Sequence, residues 1–258
     1  MRRRLENCRV LITGASSGIG RALAHQFARK QARILLLARR EARLQEVKRE
    51  VERLGGTAIF SVGDVTSPSV RQTVVELCNR QFGGLDLLVN NAGIGAIGTF
   101  EDSNADRLRQ IMDVNFFAPV ELIRLTLPLL RKSQTAAIVN ICSVLGHRAV
   151  PLKSEYCASK FALHGFSDAL RAELMTDGID VILVNPSTTE SEFFDQVIDD
   201  HSAQKRRPGM SPARVASATM RAIEKRRHEV IFPFEGKALV LLDRFWPSLA
   251  DRIVARFG

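Results

Sequence analysis

Short apolar runs alternate with stretches of helical periodicity along the chain, and no other feature constrains the fold as much. Residues 10–12 (VLI), 33–38 (RILLLA), 58–62 (AIFSV), 85–90 (LDLLVN), 137–142 (AIVNIC), 180–184 (DVILV) and 229–232 (EVIF) each read as a short buried strand. Helices are predicted between them over 19–30, 41–54, 68–82, 104–130, 154–174 and 212–225. The longest is expected to be interrupted near Pro119 and Pro128. Buried strands alternating with helices indicate a parallel sheet covered on both faces. No linker, repeat or low-complexity segment divides the pattern. The expected architecture is one doubly wound α/β domain of Rossmann type over residues 1–258, with seven parallel strands.

The first strand runs into Thr13-Gly14-Ala15-Ser16-Ser17-Gly18-Ile19-Gly20, and a helix follows. Glycines at such a junction permit a tight turn and let the backbone approach a pyrophosphate, which the helix N-terminus then binds through its unpaired N–H groups. Gly14, Ser16, Ser17, Gly18, Ile19 and Gly20 are therefore candidate cofactor contacts. The spacing G-x-x-x-G-x-G differs from the general G-x-G-x-x-G fingerprint. It is not a Walker loop either, because Arg21 follows Gly20. Taken alone, these glycines also fit an ordinary tight turn. The second strand ends in Ala38-Arg39-Arg40, without a carboxylate at its tip. Arg39 there suits a ribose 2′-phosphate, so NADP(H) is expected in preference to NAD(H); the plainer alternative is a surface charge.

Tyr156, the one tyrosine among 258 residues, precedes Lys160 by four positions in a predicted helix. Residues so spaced share a helix face, about 5–6 Å apart at Cβ. Ionising a phenol of pKa about 10 at neutral pH costs about 4 kcal/mol. One cation roughly 4 Å away, at an effective dielectric of about 20, supplies about 4 kcal/mol. Lys160 is thus expected to draw Tyr156 down toward the range useful for proton transfer, and a cationic oxidised nicotinamide to draw it further. Packing alone, with Lys160 snorkelling, is the alternative reading of the pair.

With these residues in view, the sequence resembles the short-chain dehydrogenase/reductase family from about residue 8 to 232. The matching motifs stand in the family's order: TGASSGIG at 13–20, Asp64-Val65, Asn90-Asn91-Ala92-Gly93, Asn115, Ser143, Tyr156-x-x-x-Lys160 and Asn185-Pro186. The resemblance implies an oxidoreductase that interconverts a carbonyl and an alcohol with NADP(H). It implies that Asp64 and Val65 meet the adenine, and that Asn91, Ala92 and Gly93 line the adenosine ribose while Asn90 braces the sheet. In the catalytic set, Asn115 would hold a water of the proton relay through a local break in the long helix. Ser143 would bond the substrate carbonyl, Tyr156 would exchange the proton, and Lys160 would bind the nicotinamide ribose. Pro186, Thr189 and Ser191 would meet the nicotinamide. Here the chain departs from the family, with Ser187 where the family has glycine and Ser191 where it has threonine. A homodimer or homotetramer is also implied.

The remaining composition mostly excludes. Lys and Arg number 37 against 28 Asp and Glu, a net charge of +9, but the basic residues are dispersed and carry no interleaved aromatics, so nucleic acid is not an expected partner. The four cysteines lack metal or disulfide spacing and read as reduced residues of a cytoplasmic protein; the five histidines show no metal spacing. The basic start has no apolar h-region behind it, and no apolar run is long enough to span a bilayer. A pocket lined by Ile94, Ile97, Leu145, Val150 and Leu152 suits a lipophilic ketone or aldehyde, with His147 as a possible contact and Arg148 and residues 205–207 as anion anchors. A 3-oxoacyl thioester is the second substrate class, and a non-catalytic NADP(H) sensor the rival of another kind. Residues 190–210 are expected to form a lid. The amphipathic, basic stretch over 236–258 suits subunit packing or, less favoured, peripheral contact with a membrane.

Overall fold

Each predicted strand forms, and all seven join one parallel sheet. They are β1 (Arg9–Thr13), β2 (Arg33–Ala38), β3 (Thr57–Val62), β4 (Leu87–Asn90), β5 (Ala137–Ile141), β6 (Asp180–Pro186) and β7 (Glu229–Phe232). The computed structural model describes residues 2–190, 192, 198 and 209–255. The spatial order is β3-β2-β1-β4-β5-β6-β7. Successive residues of each strand feed opposite faces, since strand side chains alternate. Val10 and Ile12 join Ile34 and Leu36 in one core under α1 (Gly18–Ala28), α2 (Glu41–Arg53) and α7 (Pro212–Glu224). Leu11 joins Leu35 and Leu37 in the other, under α3 (Pro68–Phe82), α5 (Ala118–Leu130) and α6 (Ser154–Glu173). Both faces are apolar because both are covered.

The order of the sheet reverses between β1 and β4, which pair directly. Loops leaving the carboxyl ends of these two strands diverge there, and a crevice opens between them. The Gly14 turn after β1 and residues 91–93 after β4 form its two lips.

The helix predicted over 104–130 is two helices, α4 (Ala105–Met112) and α5, joined by a π-helical turn at Asp113–Phe117. The interruption falls just before Pro119, which has no N–H to offer the carbonyl of Asn115 four residues back. Pro128 lies inside α5 without ending it. At the carboxyl end, α8 (Phe234–Phe245) and α9 (Pro247–Val254) pack on each other, and α8 packs on the 3-10 turn Val144–Gly146. No helix of the described residues is long and apolar enough to cross a membrane. Of the segment expected to form a lid, only Glu190, Glu192, Ile198, Gly209 and Met210 are described; residues 205–207 lie outside the described residues.

Candidate active site

The glycine turn is built by close approach. Gly14 has φ +63°, and a Cβ there would lie 2.9 Å from the Cα of Ala92 on the opposite lip. Gly20 sits one turn into α1, where a Cβ would collide with the carbonyl of Gly14; its part is helix–strand packing, and it does not line the cleft. Thr13 and Asn91 bind the lips together. The Thr13 hydroxyl accepts from the N–H groups of Asn91 and Ala92, both at 3.0 Å, and the Asn91 amide donates to the carbonyls of Thr13 (2.9 Å) and Gly14 (3.1 Å). Ser17 caps α1 without a side-chain hydrogen bond, so the N–H groups of the first turn face the crevice uncapped.

Both arginines at the tip of β2 line the crevice, with different surroundings. Arg39 is more than half exposed and approaches Asp64 at 4.0 Å. Arg40 turns toward the glycine turn, donating to the hydroxyls of Ser16 (3.2 Å) and Ser17 (2.8 Å) and to Glu192 at 2.5 Å. Arg40 was not among the residues singled out from sequence. Neighbouring residues on extended backbone point to opposite sides, and spacing alone does not say which one faces the turn. Asp64 holds its own loop, accepting from the Thr66 N–H (2.8 Å) and hydroxyl (2.7 Å), beside Val65.

Further along the crevice the chain leaving β5 places Ser143, and α6 brings up Tyr156 and Lys160. The Ser143 hydroxyl accepts from the Leu145 N–H at 3.1 Å and lines the crevice together with the Tyr156 phenol. Lys160 donates to the Ile141 carbonyl at 3.1 Å, and its Nζ lies 5.7 Å from the centre of the Tyr156 ring. This arrangement corrects the expected direction of the Tyr156 shift. Burial raises the phenol well above its ordinary range, against the lowering effect of Ser143. Burial also lowers the Lys160 ammonium. The ammonium is turned to a main-chain carbonyl, so Coulombic help to the phenol is smaller than the desolvation it must offset.

Asn115 does not line the crevice. Fully buried in the π-helical turn, its amide donates to the Ile94 carbonyl (2.9 Å) and the Ser159 hydroxyl (3.0 Å) and accepts from the Ile94 N–H (2.9 Å). It therefore clamps the loop after β4 to α6, within the local break of the long helix expected there from sequence. Asn90 donates to Asn140 at 2.9 Å, and Asn140 to Ser167 at 2.9 Å, tying β4 and β5 to α6.

The crevice encloses about 710 Å³. Along it lie Gly14, Ser16, Ser17, Gly18, Ile19, Arg39, Arg40, Asp64, Val65, Asn91, Ala92, Gly93, Ser143, Tyr156, Lys160, Pro186 and Thr189. A polar, cationic end at the glycine turn thus joins an end where two hydroxyls converge. Residues 9–202 match the short chain dehydrogenase family model.

The chain is a short-chain dehydrogenase.

It is 33% identical over 256 residues to the ketoacyl reductase HetN of a Nostoc species, covering 96% of this chain and 88% of that protein. To the dehydrogenase/reductase SDR family member 7B of Bos taurus it is 32% identical, with 99% and 82% covered. A short-chain dehydrogenase/reductase from Burkholderia phymatum, solved in complex with NAD, superimposes with a TM-score of 0.85 at 24% identity, covering 95% and 96% of the two chains. The chain is accordingly an oxidoreductase on the doubly wound fold of that family.

In this dehydrogenase several other expectations fall differently. Arg148 is no anion anchor, because its guanidinium bridges Asp243 (2.7 Å) and Asp251 (2.5 Å) of α8 and α9. His147 stands outside the crevice lining, on Glu229 at 2.8 Å and edge-on to His164. Ser191 lies outside the described residues. The four cysteines are free and buried, and burial pushes the Cys142 thiol, on the crevice wall, up to about 11. Glu235, Gly236, Leu239 and Ile253, from α8 and α9, add a wall that the sequence did not suggest.

Proposed function

We propose that this dehydrogenase reduces a lipophilic ketone or aldehyde with NADPH, Tyr156 delivering the proton. The observation that carries the reading is that Ser143, Tyr156 and Lys160 line one crevice with Arg39, Arg40 and the glycine turn. The residues fit a dinucleotide. The missing Cβ of Gly14 lets the turn lie against Ala92, and the uncapped start of α1 offers N–H groups to a pyrophosphate. Gly14, Ser16, Ser17, Gly18 and Ile19 would hold that pyrophosphate, Asp64 and Val65 the adenine, and Lys160, Pro186 and Thr189 the nicotinamide end. The bound nicotinamide supplies the hydride. Ser143 and Tyr156 bind the carbonyl oxygen and stabilise the charge that develops on it, and the phenol gives up its proton there. Ile94, Leu145, Val150, Leu152 and Leu239 keep water from that end and favour an apolar substrate.

The charges at the tip of β2 support NADP(H) over NAD(H). A guanidinium binds phosphate through paired, charge-assisted hydrogen bonds. Arg40 is already oriented by Ser16 and Ser17, and it would hold a 2′-phosphate in place of the Glu192 carboxylate. Changing Arg39 and Arg40 together to Ser is expected to raise KM for NADPH by about 10- to 100-fold, with KM for NADH nearly unchanged. Steady-state rates with both cofactors check this, and a wild-type preference for NADH would overturn it. For the reduction itself the test is a panel of ketones and aldehydes followed by NADPH absorbance; no oxidation with any of them removes the reading. A 3-oxoacyl thioester is the second substrate reading. The ketoacyl reductase relative favours it, while the engagement of Arg148 with Asp243 and Asp251 weakens it.

A further inference from the structure

We propose that the outward face of α8 and α9 docks on an anionic lipid surface, with the apolar end of the crevice beside it. The proposal does not depend on which carbonyl is reduced. Three observations carry it together.

The face is apolar and open. Phe234 is 80% exposed, Phe245 64% and Trp246 63%, and Leu241 and Leu249 are also exposed. Phe234, Leu241 and Phe245 recur at helical spacing down one side of α8, and Trp246 and Leu249 carry the stripe across the junction into α9. The opposite side of α8 is committed, with Gly236 seated on Val144 and Leu239 lining the crevice.

The charges of these two helices that have no ion-pair partner among the described residues are three cations and one carboxylate, Glu235. Lys237, Arg244 and Arg252 are exposed on the same two helices, and none has an ion-pair partner among the described residues. Asp243 and Asp251 both bind Arg148, and Glu235 lines the crevice. Apolar anchors, an interfacial tryptophan and unpaired cations on one helical face make the combination that binds the headgroup region of an anionic bilayer. A second copy of the chain is a poorer occupant. A two-fold contact through this face would set the same cations against each other.

The face is also continuous with the crevice. Glu235, Gly236, Leu239 and Ile253 come from the two helices and form part of its wall. Docking through Phe234, Phe245 and Trp246 therefore brings that wall to the lipid surface.

Trp246 is the only tryptophan in the chain, so intrinsic tryptophan emission reports this face alone. Titrating the full chain with vesicles of phosphatidylcholine and phosphatidylglycerol in equal parts is expected to shift its emission to the blue, with reversal in high salt. Vesicles of phosphatidylcholine alone are expected to bind far more weakly. Lys237→Gln, Arg244→Gln and Arg252→Gln combined should weaken partitioning on the order of 100-fold, and Leu241→Ser with Phe245→Ser should abolish the shift. Both variants should keep the wild-type circular dichroism and turnover of a water-soluble carbonyl, since none of these residues lines the crevice. No shift with the anionic vesicles, or an equal shift with both kinds, overturns the proposal. So does light scattering in which either variant breaks a wild-type oligomer into monomers, because the face is then a subunit interface.

Discussion

Replacing Tyr156 with Phe is expected to lower kcat/KM for carbonyl reduction by about 10²- to 10⁴-fold, the range for loss of a general acid. Cofactor affinity should be unchanged. The substitution removes one oxygen and keeps the ring on which Lys160 Nζ rests 5.7 Å from the centre. Ser143→Ala removes the second group at the same oxygen and is expected to cost about 10²- to 10³-fold. The pH profile separates two accounts of how the phenol works. Burial raises the Tyr156 phenol above its ordinary value, so it stays protonated through neutral pH and is ready to donate. Reduction is then flat on this limb near neutrality and falls only as pH climbs through the raised value. Alcohol oxidation, which needs the phenolate, rises with pH over the same interval. A break in the reduction profile well below about 10 would instead show that the ammonium of Lys160 outweighs burial. Equal rates for wild type and Tyr156→Phe would end the proton-transfer assignment.

That contrast marks where sequence reasoning reached its limit. Spacing places Tyr156 and Lys160 on one helix face, and the structure keeps them there. Spacing does not weigh desolvation, nor does it reveal that the ammonium has a partner in the Ile141 carbonyl. The strands were legible because runs such as 10–12 and 34–38 are apolar at every position, which only a sheet covered on both faces requires. The Gly14 turn was legible for a different reason, since a positive φ and a 2.9 Å approach to Ala92 leave little choice of residue. The π-helical turn left a weaker trace. Apolar periodicity hardly changes when one turn widens, and Pro119 marked only the neighbourhood of the break. Arg148 was misjudged because both carboxylates that neutralise it lie about a hundred positions along the chain, in helices whose docking no local pattern announces. The same holds for Arg107 and Glu155, which sequence gave no reason to pair.

Arg107→Met is expected to destabilise the fold by about 3–5 kcal/mol, the cost of breaking a buried ion pair by removing one partner. Arg107, on α4, donates to Glu155 through Nε at 3.0 Å and Nη2 at 2.8 Å, and Nη2 also reaches the Thr99 carbonyl at 3.2 Å. The side chains are 1% and 4% exposed, so the carboxylate left behind has no recourse to water. Glu155 is the residue before Tyr156, and the pair fixes the first turn of α6 to the loop that follows β4. Removing both charges is a different perturbation. Arg107→Met with Glu155→Leu leaves no stranded ion and is expected to recover most of the loss, a coupling that a double-mutant cycle by chemical denaturation measures directly. The pH dependence gives a second check with a definite sign. Burial alone would raise the Glu155 carboxyl, but the Arg107 hydrogen bond, with backbone and Ser103 contacts, holds it below its ordinary range. A depressed folded value means that its contribution is full above the unfolded value of about 4.3 and is lost as pH falls through the folded one. In Arg107→Met the cation is gone and burial raises the carboxyl instead, so this group's contribution now increases as pH falls from neutrality. Titrated against each other, the two proteins should therefore converge in stability under mildly acid conditions. A constant gap across that range would mean that the pair matters for its packing and not for its charge.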